Sequence, residues 1–239
     1  MTDQAFGRRD FLKTAVVGGA AAATTGIAQP QSAQAQQPAA PAAAPPGPAT
    51  YEFLNLDEAA FVETLVDHMV PADALCPKGT DLGIHVYIDR TLAGAWGRGD
   101  RLYRQGPWKP GVPSQGYQLP LTPAELIRAG IEASNAFLRK TGGKPLDQLT
   151  PAQREDFLRA LDGGKVAFEA GPPPRVFWTA LYQLVMEGMF ADPVHGGNRD
   201  KQAWKMIGFP GVVANHSRNI LSFRDKRYNG APQGIADLS

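Results

Sequence analysis

The sequence predicts an all-α protein: a single irregular helical domain with long structured loops, preceded by a signal peptide and a disordered Pro/Ala-rich linker. Three observations carry this. Apolar residues recur at helical spacing in successive stretches. Two of those stretches open on the same start signal, Thr122-Pro123-Ala124-Glu125 and Thr150-Pro151-Ala152-Gln153. No stretch sustains period-two alternation with β-branched residues, so a sheet is not expected.

The first 35 residues read as a leader. Arg8-Arg9-Asp10-Phe11-Leu12-Lys13 stands before a run, 14–50, that holds no charged residue. A charged start, a mildly apolar middle and a small-x-small end make a secretory signal. The paired arginines before Phe11, Leu12 and Lys13 make it resemble a twin-arginine signal, with Gly7 where Ser or Thr is usual. Ala33-Gln34-Ala35 is the better cleavage site and Gly26-Ile27-Ala28 the second. A retained membrane anchor is the competing reading. Residues 36–50 are Pro/Ala-rich with almost no large apolar side chain. They cannot bury enough surface to offset ordering entropy, so they read as a linker.

The helical domain is expected over 51–239. Asn55 and Glu58 form a capping-box pattern ahead of a stripe at Phe61, Leu65 and Met69, which Pro71 stops. Ile84, Ile88 and Leu92 make a shorter helix. Leu126 to Leu138 follows the Thr122 start, with Gly142 as its end, and Phe157 to Leu161 follows Thr150. The stretch 175–190 is the most apolar and should be central. A last short helix is expected from Asp200 to Ile207. Between these lie two long loops, 96–121 and 192–199. The first places Trp96, Tyr103, Trp108 and Tyr117 beside Arg98, Arg101 and Arg104. That composition matches contact surfaces. Rings packing the loop onto its own helices would look the same.

Composition narrows the chemistry. The chain has 239 residues, with 24 Lys+Arg against 23 Asp+Glu. Losing 1–35 removes three cations and two anions and leaves it formally neutral, so nothing draws it to nucleic acid. A single cysteine, Cys76, excludes an internal disulfide, an iron–sulfur site and a Cys-x-x-Cys-His haem attachment. Cys76 is either a buried lone thiol or an intersubunit one. No cofactor is expected in this chain. Glu187, Asp192, His195 and Asn198 are close in sequence, and a metalloenzyme or ligand-binding protein using the Asp192/His195 loop is the alternative. Their spacing matches no zinc signature, and Asp192-Pro193 and Gly196-Gly197 are plain turn chemistry. His68 reads as a capping or exposed residue. His85 and Asp89, at i and i+4, read as a helix-surface pair.

Several blocks together carry a resemblance. They are Val66-Asp67-His68-Met69-Val70-Pro71-Ala72-Asp73, Tyr87-Ile88-Asp89-Arg90-Thr91-Leu92-Ala93-Gly94 and Tyr103-Arg104-Gln105-Gly106-Pro107. The longest is Glu187-Gly188-Met189-Phe190-Ala191-Asp192-Pro193-Val194-His195-Gly196-Gly197-Asn198-Arg199-Asp200, continued by Trp204-Lys205-Met206-Ile207-Gly208-Phe209-Pro210-Gly211. The chain resembles the small (gamma) subunit of membrane-bound gluconate 2-dehydrogenase, the subunit 3 family, over most of 51–215. Relatives occur in fructose, sorbitol and FAD-dependent glucose dehydrogenase complexes. The resemblance implies a periplasmic complex of three parts. A large GMC-type flavoprotein with FAD oxidises a sugar or sugar acid. A multihaem cytochrome c subunit, with haem c, passes electrons to the membrane. The small subunit is non-catalytic and escorts the flavoprotein through twin-arginine export. The expected partner contacts are Trp96, Arg98, Tyr103, Trp108, His195, Asn198, Arg199 and Trp204.

Overall fold

A computed structural model describes residues 50–238 except 110 and 214. The expected signal peptide, with Arg8, Arg9, Phe11, Leu12 and Lys13, lies outside the described residues, as does the linker save Thr50. The described chain is all-α, and its nearest approach to a sheet is one isolated bridge between Gly211 and Gln233.

Among the described residues seven α-helices follow one another: α1 Leu56–Met69, α2 Ile84–Ala93, α3 Pro123–Gly142, α4 Pro151–Asp162, α5 Pro174–Phe190, α6 Gln202–Ile207 and α7 Ser217–Ser222. Three start on complete capping boxes. Asn55 accepts from the Glu58 N–H at 3.0 Å, and Glu58 accepts from the Asn55 N–H at 2.9 Å. Thr122 with Glu125 and Thr150 with Gln153 repeat the device, each with proline at the first helical position. These reciprocal bonds satisfy N–H groups that have no partner inside the helix. The end of α3 falls one residue later than expected. Gly142 is still helical, and Gly143 takes the left-handed cap at φ 74°.

The core gathers on α1 and α5. Phe61, Val62, Leu65 and Val66 of α1 and Phe177, Leu181, Leu184 and Val185 of α5 are all buried. Burial of each such side chain contributes about 1.5–3 kcal/mol. Helix α5 packs on α2, α3, α4 and α6, and α1 packs on α2, α3 and α4. The most apolar helix is therefore central.

The chain departs from expectation after α5. The expected helix from Asp200 begins only at Gln202, because Asn198, Asp200 and Lys201 all have positive φ (46°, 56° and 58°). A left-handed residue cannot continue a right-handed helix. Beyond the family blocks, α7 and a short turn at Ile235–Leu238 were not foreseen.

Candidate functional site

The loop 192–199 is a wedge between α2 and α5. A β-carbon at Gly197 would stand 2.1 Å from the Gly188 carbonyl oxygen on α5, so only glycine permits this approach. At Gly196 φ is 101°, and its carbonyl lies against Gly83 at the start of α2. Asn198 is fully buried. Its Nδ2 donates to the Ala191 carbonyl at 3.0 Å and its Oδ1 accepts from the Ala203 N–H at 3.0 Å. These bonds hold the left-handed run in place. Arg199 N–H donates to the Leu82 carbonyl at 2.9 Å, and Trp204 Nε1 donates to the Phe190 carbonyl at 2.8 Å. The residues that make up the longest sequence block thus lock one helix pair and the turn between them.

The same loop anchors the tail. Asp192 accepts from the Val194 N–H at 3.1 Å and from the Ile235 N–H at 2.8 Å, while Lys201 pairs with Asp237 at 2.5 Å. Asp192 is therefore engaged within the fold, and His195 is exposed on the turn Pro193–His195. Glu187 accepts from Tyr87 and Gln183. Among the described residues no three His, Cys, Asp or Glu side chains converge as a metal site.

The loop 96–121 sorts its rings. Trp96 and Tyr103 are exposed, at 47% and 72%, whereas Trp108 and Tyr117 are half-buried. Tyr117 donates its hydroxyl to the Leu121 carbonyl at 3.1 Å. Arg98 donates to the Ala93 carbonyl at 2.9 Å, and Arg104 lies 3.7 Å from Glu125. Beneath the loop is an apolar cleft of about 390 Å³, walled by Trp96, Tyr117, Leu126, Val176 and Leu184. Trp96 and Glu187 also wall a neighbouring cleft that reaches Val194 and His195. The two long loops, apart in sequence, thereby share one face.

The expected contact residues divide accordingly. Trp96, Tyr103 and His195 lie exposed, with Arg98 beside them and Trp108 half covered. Asn198 and Trp204 are interior, at 0% and 4% exposure, and serve the wedge instead. Arg199 faces a different cleft, with His85 and Arg90. Cys76 is 5% exposed in the core, and burial, with Asp73 adding, pushes its thiol pKa up.

Two readings from spacing are corrected. His85 and Asp89 are buried, at 7% and 2%, rather than a surface pair. Asp89 accepts the backbone N–H groups of Glu52, Phe53 and Leu54 at 2.8–2.9 Å, which straps the chain ahead of α1 across α2. His68 neither caps nor stands free, since its Nε2 lies 2.9 Å from Glu155 and joins α1 to α4. Ile84, Ile88 and Leu92, at i, i+4 and i+8, mark a single stripe of α2, so their spacing does not signal that His85 and Asp89 are covered as well.

A family model described as gluconate 2-dehydrogenase subunit 3 matches residues 56–211. The chain belongs to that family. The match runs from the first residue of α1 to the bridge at Gly211, so it takes in the wedge and both clefts of the shared face. It stops short of α7, the part of this subunit 3 chain that the sequence blocks also leave out. No curated protein and no solved structure matches the chain. Among its described residues no helix is long and apolar enough to cross a membrane.

Proposed function

We propose that the chain is the non-catalytic small subunit of a periplasmic, FAD-dependent sugar or sugar-acid dehydrogenase complex. It escorts the flavoprotein subunit through twin-arginine export and stabilises it there. The family match over 56–211 carries this reading. FAD belongs to the large GMC-type partner, and haem c to a third subunit that this chain meets only through the complex. The complex, and not this chain, makes the membrane association.

The face around Trp96 is the docking surface. Exposed Trp96, Leu102 and Tyr103 offer apolar area of the kind that anchors interfaces. The loop also carries Arg98, Arg101, Arg104 and Lys109 against the single acid Asp100. A partner surface bearing carboxylates complements it. The apolar cleft under the loop also favours a second reading, in which a small apolar ligand sits against Trp96 and Tyr117.

Trp96→Ala combined with Tyr103→Ala is expected to leave the helical content unchanged. It should weaken co-purification of a flavin-containing partner by at least about tenfold, a loss of about 1.4 kcal/mol or more. Undiminished recovery of the yellow partner by a folded double variant would remove this face from the interface.

A further inference from the structure

Beyond the residues that the family model matches, the short 3₁₀ turn Ile235–Leu238 packs on the wedge turn Pro193–His195. Asp192 and Asp237 fix it there. Asp192 bridges the two turns, taking the Val194 N–H on one oxygen at 3.1 Å and the Ile235 N–H on the other at 2.8 Å. Asp237 takes the Gly234 N–H at 2.6 Å and pairs with Lys201 at 2.5 Å. These bonds do not serve to bury the turn's apolar side chains. Val194, Ile235 and Leu238 stay 49%, 49% and 54% exposed.

Side chains at i and i+3 of a 3₁₀ turn align on one side. Ile235 and Leu238 therefore project together, and Val194 stands on the turn packed against them. Three exposed aliphatic side chains are thus gathered over a fixed backbone. Val194 and His195 also wall the cleft that reaches Trp96. The aliphatic edge is continuous, through the wedge, with the docking face proposed above.

A protein interface has an apolar centre depleted of charge and a polar rim. At this edge Lys201, Asp237 and Asp192 are spent on holding the turn, whereas the loop 96–121 carries an excess of cations. A stable interface covers about 800 Å² on each partner, so a protein seated over Trp96 and His195 extends across the edge as well. The fixed backbone also lowers the ordering cost of binding. We propose that the turn Ile235–Leu238, together with Val194, is an apolar anchor for the same flavin-containing partner, which meets it with an aliphatic or aromatic patch rather than with carboxylates. This inference rests on the docking face proposed above and adds to it a part of the chain outside the family match.

The test uses the full chain produced together with its flavin-containing partner. Ile235→Ser combined with Leu238→Ser is expected to keep the helical content and the unfolding midpoint of the free chain, and to weaken recovery of the partner at least about tenfold. Leu75→Ser changes an aliphatic residue that is 71% exposed but walls neither cleft of the docking face, and should leave recovery unchanged. A photo-reactive benzoylphenylalanine at position 238 should cross-link to the flavoprotein in the assembled complex, which decides the matter even if the double variant misfolds. Undiminished recovery by the folded Ile235/Leu238 variant, while Trp96→Ala with Tyr103→Ala loses the partner, would overturn the anchor and leave the docking face standing. Undiminished recovery by both would remove both. No cross-link from position 238 would also overturn the anchor, as would a dimer of the free chain that the Ile235/Leu238 variant abolishes, since the edge would then belong to a second copy.

Discussion

His85 sets how this chain meets acid. Burial holds its imidazole below the usual histidine range. Glu63, Asp67 and Asp89 oppose that shift and Arg199 reinforces it. A depressed base is neutral in the fold, and the unfolded chain binds its proton first. Its contribution to stability is therefore intact above the unfolded value of about 6.5 and declines as pH falls below it. Asp67 behaves in the same direction but lower down. Burial alone would raise it, yet the bonds from Lys78 and Thr80 leave it below the usual carboxylate range. Its loss thus begins only near pH 4, about the ordinary aspartate value. Urea unfolding at about pH 7.5 and about pH 5.5 isolates the histidine. The wild type should lose stability between the two, and His85→Gln should lose clearly less. Equal losses would show that another group governs that window.

At the scale of elements, the wedge should fail by backbone collision. Gly197→Ala puts a methyl group 2.1 Å from the Gly188 oxygen, and neither backbone can easily yield. A cost of about 2–3 kcal/mol is expected in chemical denaturation. Gly142→Ala is the control. Nothing lies within 4 Å of its added β-carbon, and in a helix the change should be neutral or stabilising by up to about 1 kcal/mol. Similar effects from the two changes would contradict the wedge. The helix starts were legible because capping is local: Asn55, Thr122 and Thr150 meet their partners three residues away. The left-handed residues 198, 200 and 201 were not, because no glycine stands among them and Asn198 is held through Ala191 and Ala203. Likewise, spacing placed His85 and Asp89 on one helix but could not say that a strap from 52–54 covers them. The proposed docking face is subject to the same limit. Trp204 and Trp96 are the same residue type in the sequence, and only packing separates the interior ring from the exposed one.

At the scale of the whole molecule, the family body closes on a tail that the family model does not reach. Val212 N–H donates to the Gln233 carbonyl at 2.7 Å, and Asp192 and Lys201 hold Ile235 and Asp237. The tail thus returns to the wedge, and the helical body presents Trp96 and His195 on one face. An escort must join that body to an export address that serves two proteins. Arg8→Lys together with Arg9→Lys keeps the positive charge of residues 1–35 but removes the planar guanidinium forks. A signal read only as charge would survive this change, whereas a twin-arginine address should fail. The decisive measurement is dye-linked dehydrogenase activity of the unmutated flavoprotein in cytoplasmic and periplasmic fractions of cells carrying the double-lysine chain. The escort role requires that activity to remain in the cytoplasm together with this chain. Flavoprotein activity reaching the periplasm while this chain is retained would contradict it.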